Sequence, residues 1–345
     1  MGSETQDTSS LLEITDPFHG LSFQVGVAEN KNPTYRAKME DVHTYVANFA
    51  EKPDWGYFAI FDGHAGKQTA RWCGNNLHTL LEEEMLAMEA LLSPLLLLSA
   101  PLTKLFSLTN SQPSEDNKDV RDALNRVFVK ADELIEQEGS GSSGCTAAVA
   151  VLRWEGNLKE TEEATIKGLL ASKPFDFVPS ENHKRMLYTA NVGDLRIVLC
   201  RGNRLYRLTY DHKASDAKEI SRIREAGGLV VKNRVNGVLA ITRSLGDSYV
   251  KNLVTGRPFT TATEITKEDE FLILACDGVW DVITDDLACK FVQDIFRAQR
   301  EKKQQEDPGY AAKKLCQYAI EKATTDNVTV MVVKLDPQVF PQRDN

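Results

Sequence analysis

The sequence predicts an α+β fold in which antiparallel sheets are covered by helices. Three observations carry this reading: apolar runs of strand length recur along the chain, several stand in close pairs joined by turn residues, and amphipathic helical patterns lie between them.

The first strand candidate is FQVGVA, from Phe23. YFAIF, from Tyr57, runs straight into the acid, glycine and histidine of DGH. Val120, Leu124, Val127, Phe128, Ala131, Leu134 and Ile135 then share one face at helical spacing. CTAAVAVL from Cys145 and MLYTANV from Met186 return to strand patterning. LRIVLC follows from Leu195, so ANVGDLRIVLCRG reads as a hairpin turning at Gly193 and Asp194. DAKEISRIREAGG is a helix with glycines at its stop, and EFLILAC from Glu270 and NVTVMVVKL from Asn327 complete the strands.

Two segments interrupt the order. The polar stretch 156–185, with two prolines, reads as a surface loop. LLSPLLLLSAPLTKLFSL, Leu91–Leu108, invites a membrane reading, but its longest uncharged run, Ala90–Thr103, has 14 residues. A spanning helix needs roughly 18 to 20, and Pro94 and Pro101 break this one. The segment is read as a Leu-rich insertion, residues 88–116, in a domain spanning 21–337, with tails at 1–20 and 338–345.

At 345 residues, 42% hydrophobic and 26% charged, the composition is that of a globular protein with a substantial core. A net charge of -9 and a pI near 5.3, without a basic stripe, argue against a nucleic-acid partner. The six cysteines are scattered with no CxxC pair, which fits buried thiols in a reducing compartment, the cytoplasm or nucleus. MGSETQDTSS lacks the basic and apolar regions of a secretory signal.

The chemistry lies where strands meet acids. Asp62 follows YFAIF, Asp277 and Asp281 follow FLILAC, Asp326 precedes VTVMVV, and YRAKMEDVH groups Arg36, Glu40 and Asp41. Singly, Asp62 and Asp277 could be turn or cap residues, Arg36 a partner of Glu40 or Asp41, and His64 a helix-start residue. Together, acids at strand ends can converge on one rim, where their mutual repulsion calls for a counter-charge. An all-oxygen set favours Mg²⁺ or Mn²⁺ over zinc. Two such ions, about 3.5 to 4 Å apart, can hold and acidify a water that attacks phosphorus. Arg36 would grip phosphate oxygens with its planar fork, and His64 would protonate the leaving oxygen, as histidines that titrate near neutrality can.

YRAKMEDVH, FAIFDGHAG, SGCTAAV, TANVGDLR, LTYDHKASD, RVNGVLAITRSLGD, FLILACDGVWDV and TTDNVTVMVV occur in the order and rough spacing of the PPM (type 2C) metal-dependent serine/threonine protein phosphatases. The resemblance covers about Phe23 to Leu335 and is strongest to small fungal members. It implies two antiparallel sheets sandwiched between helices, a four-layer α-β-β-α fold with a two-metal site at one end. By motif, Asp62 would bridge two ions, with the Gly63 carbonyl and Glu40, through water, on one, and Asp277 and Asp326 on the other. Asp194 and Asp281, with Asp277, match a weaker third position; Arg36 matches the phosphate-binding arginine, His64 the general acid, and about 211–235 the flap beside the cleft. Two residues depart from the pattern: Leu195 stands where serine is usual in GDSR, and Cys145 where serine is usual in GST.

The resemblance further implies phosphoprotein substrates, with kinases of stress and mitogen-activated cascades foremost, an adaptor that delivers them, and a monomer. Three rivals are weaker. A kinase-binding scaffold would have lost ligand acids, which are all present here; a cysteine phosphatase needs HCx₅R, which is missing; a nuclease fits poorly with the acidic charge. NVT at Asn327 matches a glycosylation acceptor that a cytosolic strand would leave unused.

Overall fold

The computed structural model describes residues 18–92, 119–139, 141–156 and 175–341. Almost all of the Leu-rich insertion, the middle of the 156–185 loop, most of the predicted N-terminal tail and half of the predicted C-terminal tail lie outside these residues. Strands β1 (Phe23–Asn30), β2 (Val42–Ala47) and β3 (Gly56–His64) lead into helices α1 (Gln68–Leu92) and α2 (Val120–Glu138). β4 (Gly144–Glu155), β5 (Lys184–Val192), β6 (Arg196–Arg201) and β7 (Arg204–Arg207) precede α3 (Ala217–Glu225) and the short pair β8 (Val230–Val231) and β9 (Arg234–Val235). β10 (Leu245–Gly246), β11 (Phe259–Ile265) and β12 (Asp269–Ala275) are followed by α4 (Asp277–Trp280), α5 (Asp285–Glu301), α6 (Pro308–Glu321) and β13 (Val328–Leu335).

Two antiparallel sheets form the centre. One has the order β1-β13-β12-β6-β7, the other β11-β5-β4-β3-β2, with β10 pairing on β4. Because both faces of the central strands are covered, their sequences read as continuous apolar runs rather than alternations. Phe58 and Ile60 of β3 meet Leu272 and Leu274 of β12 and Met331 and Val333 of β13 between the sheets. Tyr57, Ala59 and Phe61 face α1 and α2, while Phe271, Ile273, Val330 and Val332 pack against α4, α5 and α6. The layers are therefore α-β-β-α, the sandwich implied by the sequence.

Helix starts follow their capping chemistry. Asp119, Asp216, Thr284 and Asp307 accept backbone N–H groups at the starts of α2, α3, α5 and α6, and Pro308 occupies the first turn of α6. The face predicted for α2 is buried except Leu134, which is half-buried.

Two expectations are corrected. Gly193 and Asp194 do not turn a hairpin: β5 pairs with β4 and β11, whereas β6 pairs with β12 and β7 in the other sheet. Leu195, buried between the sheets, anchors this crossover, and Gly193, at φ +89°, sits where a Cβ would collide with Thr146. The described ends of the 156–185 stretch are also less exposed than a surface loop: Phe175 and Phe177 join the core, and Arg185 is fully buried within β5. Among the described residues no helix is long and apolar enough to cross a membrane.

Helix and sheet approach closely at Gly26, where a Cβ would overlap the backbone of Pro308 and Gly309 at the start of α6. Backbone cannot yield as a flexible side chain can. Gly26→Ala is expected to destabilise the fold by ~1–3 kcal/mol, read as a lowered urea midpoint with an unchanged slope.

Candidate metal centre

The sandwich delivers its acids to one end. Asp62 ends the apolar part of β3, Asp277 opens α4 directly after β12, Asp326 precedes β13 by two residues, Asp41 immediately precedes β2, and Asp194 lies in the crossover between sheets. The register explains the convergence: Asp62 pairs with Thr146 in one sheet, while Ala275, two residues before Asp277, pairs with both Val330 and Arg196 in the other.

Asp41, Asp62 and Cys276 bring one ligand atom each within 4.8 Å of one another. The Asp62 carboxyl also lies within hydrogen-bonding reach of those of Asp41 and Asp277. Burial, and then repulsion from Asp41, Asp277, Asp326 and Asp194, pushes Asp62 well above the usual carboxylate range. Burial and the charges of Asp194, Asp326 and Asp281 do the same to Asp277. Asp41 is pushed up to about 6 by burial, against the hydrogen bond from the Thr329 hydroxyl at 2.6 Å. Asp41 Oδ1 and Asp277 Oδ1 are buried without a hydrogen-bond partner. Crowded carboxylates with orphaned oxygens fit a hard divalent cation.

The oxygen-only expectation needs one correction, since the Cys276 thiol stands inside this cluster. Cys276 adjoins Asp277, and the turn from β12 into α4 places both at the rim. Burial and the neighbouring acids Asp41, Asp62 and Asp277 push its thiol well above its ordinary value. Its sulfur accepts the Thr329 N–H at 3.2 Å and faces the Asn327 carbonyl at 3.5 Å. A thiol held protonated and hydrogen-bonded is a poor ligand, so the oxygens carry the site.

The remaining sequence candidates surround this trio. Glu40 donates its backbone N–H to Asn327 Oδ1 at 2.9 Å, and a Cβ on Gly63 would stand 2.7 Å from the Glu40 carbonyl oxygen, so the glycine lets these two segments touch. Arg36 pairs with Asp326 and donates Nε–H to the Thr325 carbonyl at 3.2 Å. Its partner is thus neither Glu40 nor Asp41. Asp194 and Asp281 are bridged by the Lys213 ammonium, at 3.4 and 3.0 Å. Burial still raises the Asp194 carboxyl, with Lys213 opposing. His64 reaches Asp247, whose carboxylate Oδ2 lies 2.8 Å from Nε2.

Sequence reasoning missed the contribution of Asp41 to the cluster, and the roles of Asn327 and Asp247. Asn327 matched only a glycosylation pattern, yet its amide donates to the carbonyls of Lys31 at 2.8 Å and Lys38 at 3.0 Å and clamps the loop carrying Arg36. Leu195 and Cys145, the two departures, are both buried beside candidate ligands: Leu195 follows Asp194, and Cys145 pairs with Gly63 across the β3–β4 ladder, its sulfur 3.6 Å from that of Cys73.

A family model described as "Protein phosphatase 2C" matches residues 25–159 and 175–328. Protein phosphatase 2C homolog 1 of Saccharomyces cerevisiae is 50% identical over 95% of this chain and 99% of its own length. The protein of the same name from Schizosaccharomyces pombe is 38% identical, covering 92% of this chain and 75% of its own. Among solved structures, a phosphatase from Toxoplasma gondii superposes with a TM-score of 0.64 at 20% identity, over 94% of this chain and 96% of that one.

A carboxyl whose folded pKa is raised holds its proton more tightly folded than unfolded. The metal-free fold therefore loses this contribution to stability as pH rises from the unfolded value near 4 through about 6 for Asp41. Protons and cations compete for the same oxygens. Millimolar Mn²⁺ is expected to raise the melting temperature by several degrees at pH 7.5 and by less at pH 5.5. Equal shifts at both pH values in a thermal melt would place the cation elsewhere.

Proposed function

This chain belongs to the protein phosphatase 2C family, and on that premise we propose that it removes phosphate from phosphoserine and phosphothreonine in proteins, at a centre holding two Mg²⁺ or Mn²⁺ ions with a weaker third. The observation that carries the reading is the trio of Asp41, Asp62 and Asp277, crowded carboxyls without a cationic partner among the described residues. Asp62, Asp277 and Asp326, with Glu40 and the Gly63 carbonyl, would hold the two ions, and Asp194 and Asp281 the third. Bound there, the cations would neutralise the phosphoryl charge and lower the pKa of a water.

The chain's own residues supply the rest. Arg36 stands at the mouth, its side chain 44% exposed, with Nη1 lacking a protein partner among the described residues. That leaves part of the guanidinium fork to meet phosphate oxygens. A phosphate monoester leaves as an alkoxide unless a proton arrives with it, and His64, two residues past Asp62, is the donor. Apolar side chains on both faces of β3 fix its register, and with it the place of Asp62 and His64 against Thr146 and Gly144 of β4, because a one-residue slip would send every side chain to the opposite face.

The proposal extends to substrates and setting: protein kinases of stress and mitogen-activated cascades, delivered by an adaptor, with the enzyme acting as a monomeric negative regulator in cytoplasm and nucleus. This extension rests on the family resemblance and on the 50% identity to the budding-yeast relative.

The test is hydrolysis of a phosphothreonine peptide with and without millimolar Mn²⁺ or Mg²⁺. Turnover is expected to need the metal and to be nearly abolished in Asp62→Asn. His64→Gln is expected to lose about 10²- to 10⁴-fold in kcat while its Mn²⁺ affinity stays near wild type. A folded chain that binds Mn²⁺ without turning over monoesters would instead be a kinase-binding scaffold, and preference for a phosphodiester would make it a nuclease.

A further inference from the structure

Asp247 ends the segment RVNGVLAITRSLGD, and neither the metal centre nor the flap accounts for it. We infer that Asp247 is the positioning residue of the general acid: its buried carboxylate holds His64 by Nε2–H and leaves Nδ1 to deliver the proton to the departing oxygen. This inference rests on the phosphatase reading above.

The carboxylate is fully buried, with Oδ2 2.8 Å from His64 Nε2 and accepting the Ser244 hydroxyl as well. Oδ1 is buried with no partner. A carboxylate in that condition is costly unless it holds something. The surrounding backbone is arranged around the contact. Asp247 sits at φ 50°, ψ 40°, a left-handed conformation uncommon for aspartate, with its N–H 3.2 Å from the Ser143 carbonyl. That carbonyl also accepts the Thr69 hydroxyl at 2.8 Å, at the start of α1. One residue earlier, the Gly246 N–H donates to Asp132 Oδ1 of α2 at 2.9 Å, and Lys251 reaches the same oxygen at 2.7 Å.

Gly144 supplies an independent observation. It lies opposite His64 in the β3–β4 ladder and opposite Gly246 in the β4–β10 pair, so it occupies the point where the two strands bring His64 and Asp247 together. A Cβ there would overlap both Asp247 Oδ2 and His64 Nε2. Only glycine leaves the room in which the two side chains meet. Among the described residues His64 Nδ1 has no protein partner, and the side chain keeps 28% of its surface exposed, so the second ring nitrogen is available to a ligand.

The step balances without any further reactant. As water adds to phosphorus and the ester P–O bond breaks, the departing serine or threonine oxygen takes the proton from Nδ1. The imidazole is left neutral with Nε2–H still on Asp247, and the proton released by the attacking water restores it. Asp247 keeps its charge throughout, holding ring orientation and tautomer.

The experiment compares a phosphothreonine peptide, whose alkoxide must be protonated, with p-nitrophenyl phosphate, whose phenolate leaves without a proton. Asp247→Asn is expected to lower kcat on the peptide ~10- to 100-fold with little change in KM, and to cost at least tenfold less on p-nitrophenyl phosphate. The double variant His64→Gln/Asp247→Asn should lose no more on the peptide than His64→Gln alone. Equal losses on both substrates, or additive losses in the double variant, would reduce Asp247 to a structural role and overturn the inference. Wild type inactive on both substrates in Mn²⁺ would overturn the phosphatase reading itself. Should Asp247→Asn not fold, ¹⁵N-histidine NMR of the wild type decides. A downfield N–H proton coupled to Nε2 and lost in His64→Gln supports the role; an Nε2 that carries no proton overturns it.

Discussion

The layer of side chains between the two sheets sets the distance on which the site depends. Asp62 belongs to one sheet and Asp277 to the other, so nothing local in sequence brings them together. Phe58, Ile60, Ile197, Leu199, Leu272, Leu274, Met331 and Val333 interleave there, and each such side chain contributes ~1.5–3 kcal/mol when buried. Two like charges 4 Å apart oppose one another by about 4 kcal/mol at the effective dielectric constant of 20 usual near a protein surface. Two or three buried residues offset one such pair. Hydrophobic packing therefore holds the acids together, and burial, with their mutual repulsion second, raises the Asp62 and Asp277 carboxyls.

The same packing explains what the sequence disclosed. Strands buried on both faces must be apolar at every position, so YFAIF and FLILAC stood out, and acids directly after them could only be at a rim. The Gly193–Asp194 turn misled because a hairpin and a crossover use the same turn residues; the difference lies in the partners of Met186–Val192 and Arg196–Cys200, which are remote in sequence. Asp41 and Cys276 adjoin residues that were singled out, but which of two neighbours points inward is decided by strand register. Asp247 is 183 residues from His64 and carries no local sign of the pairing. The signal lay in Gly144, whose need for close approach appears only once three strands are in place. Eight ordered motifs nevertheless led to the family directly, because they sample the rim from every strand that reaches it.

The network around the rim is also why its loops keep their shape. Asn327 holds the chain at Lys31, Lys38 and Glu40, and Asn32 returns two bonds, to the carbonyls of Thr324 at 2.8 Å and Asp326 at 3.1 Å. Across the crossover, Arg196 grips Asp211 with two nitrogens and Asp285 at 2.8 Å, tying the chain after β7 to the start of α5. In α3, burial opposes ionisation of Glu219, but Arg243, Arg222 and the Thr242 hydroxyl outweigh it and hold the carboxyl at about 2. It anchors α3 through Arg222 and Arg243, as Ile223 does by packing with Val235 and Leu253.

Positive charge is distributed unevenly over the acids, and that inequality ranks them. Asp326 has Arg36, and Asp194 and Asp281 share Lys213. Among the described residues Asp41, Asp62 and Asp277 have no basic side chain in contact. A cation arriving at the outer pair must compete with an ammonium already between its carboxylates, and it gains only the difference between two attractions. A cation arriving at the inner trio meets carboxyls whose charge nothing offsets and orphaned oxygens that burial denies to water. On the reading proposed above, the pair already bridged by Lys213 would be the weaker position. The same logic applies to Arg36. A cation that took Asp326 as a ligand would compete with Arg36 for its oxygens and leave the guanidinium at the mouth freer for an incoming anion.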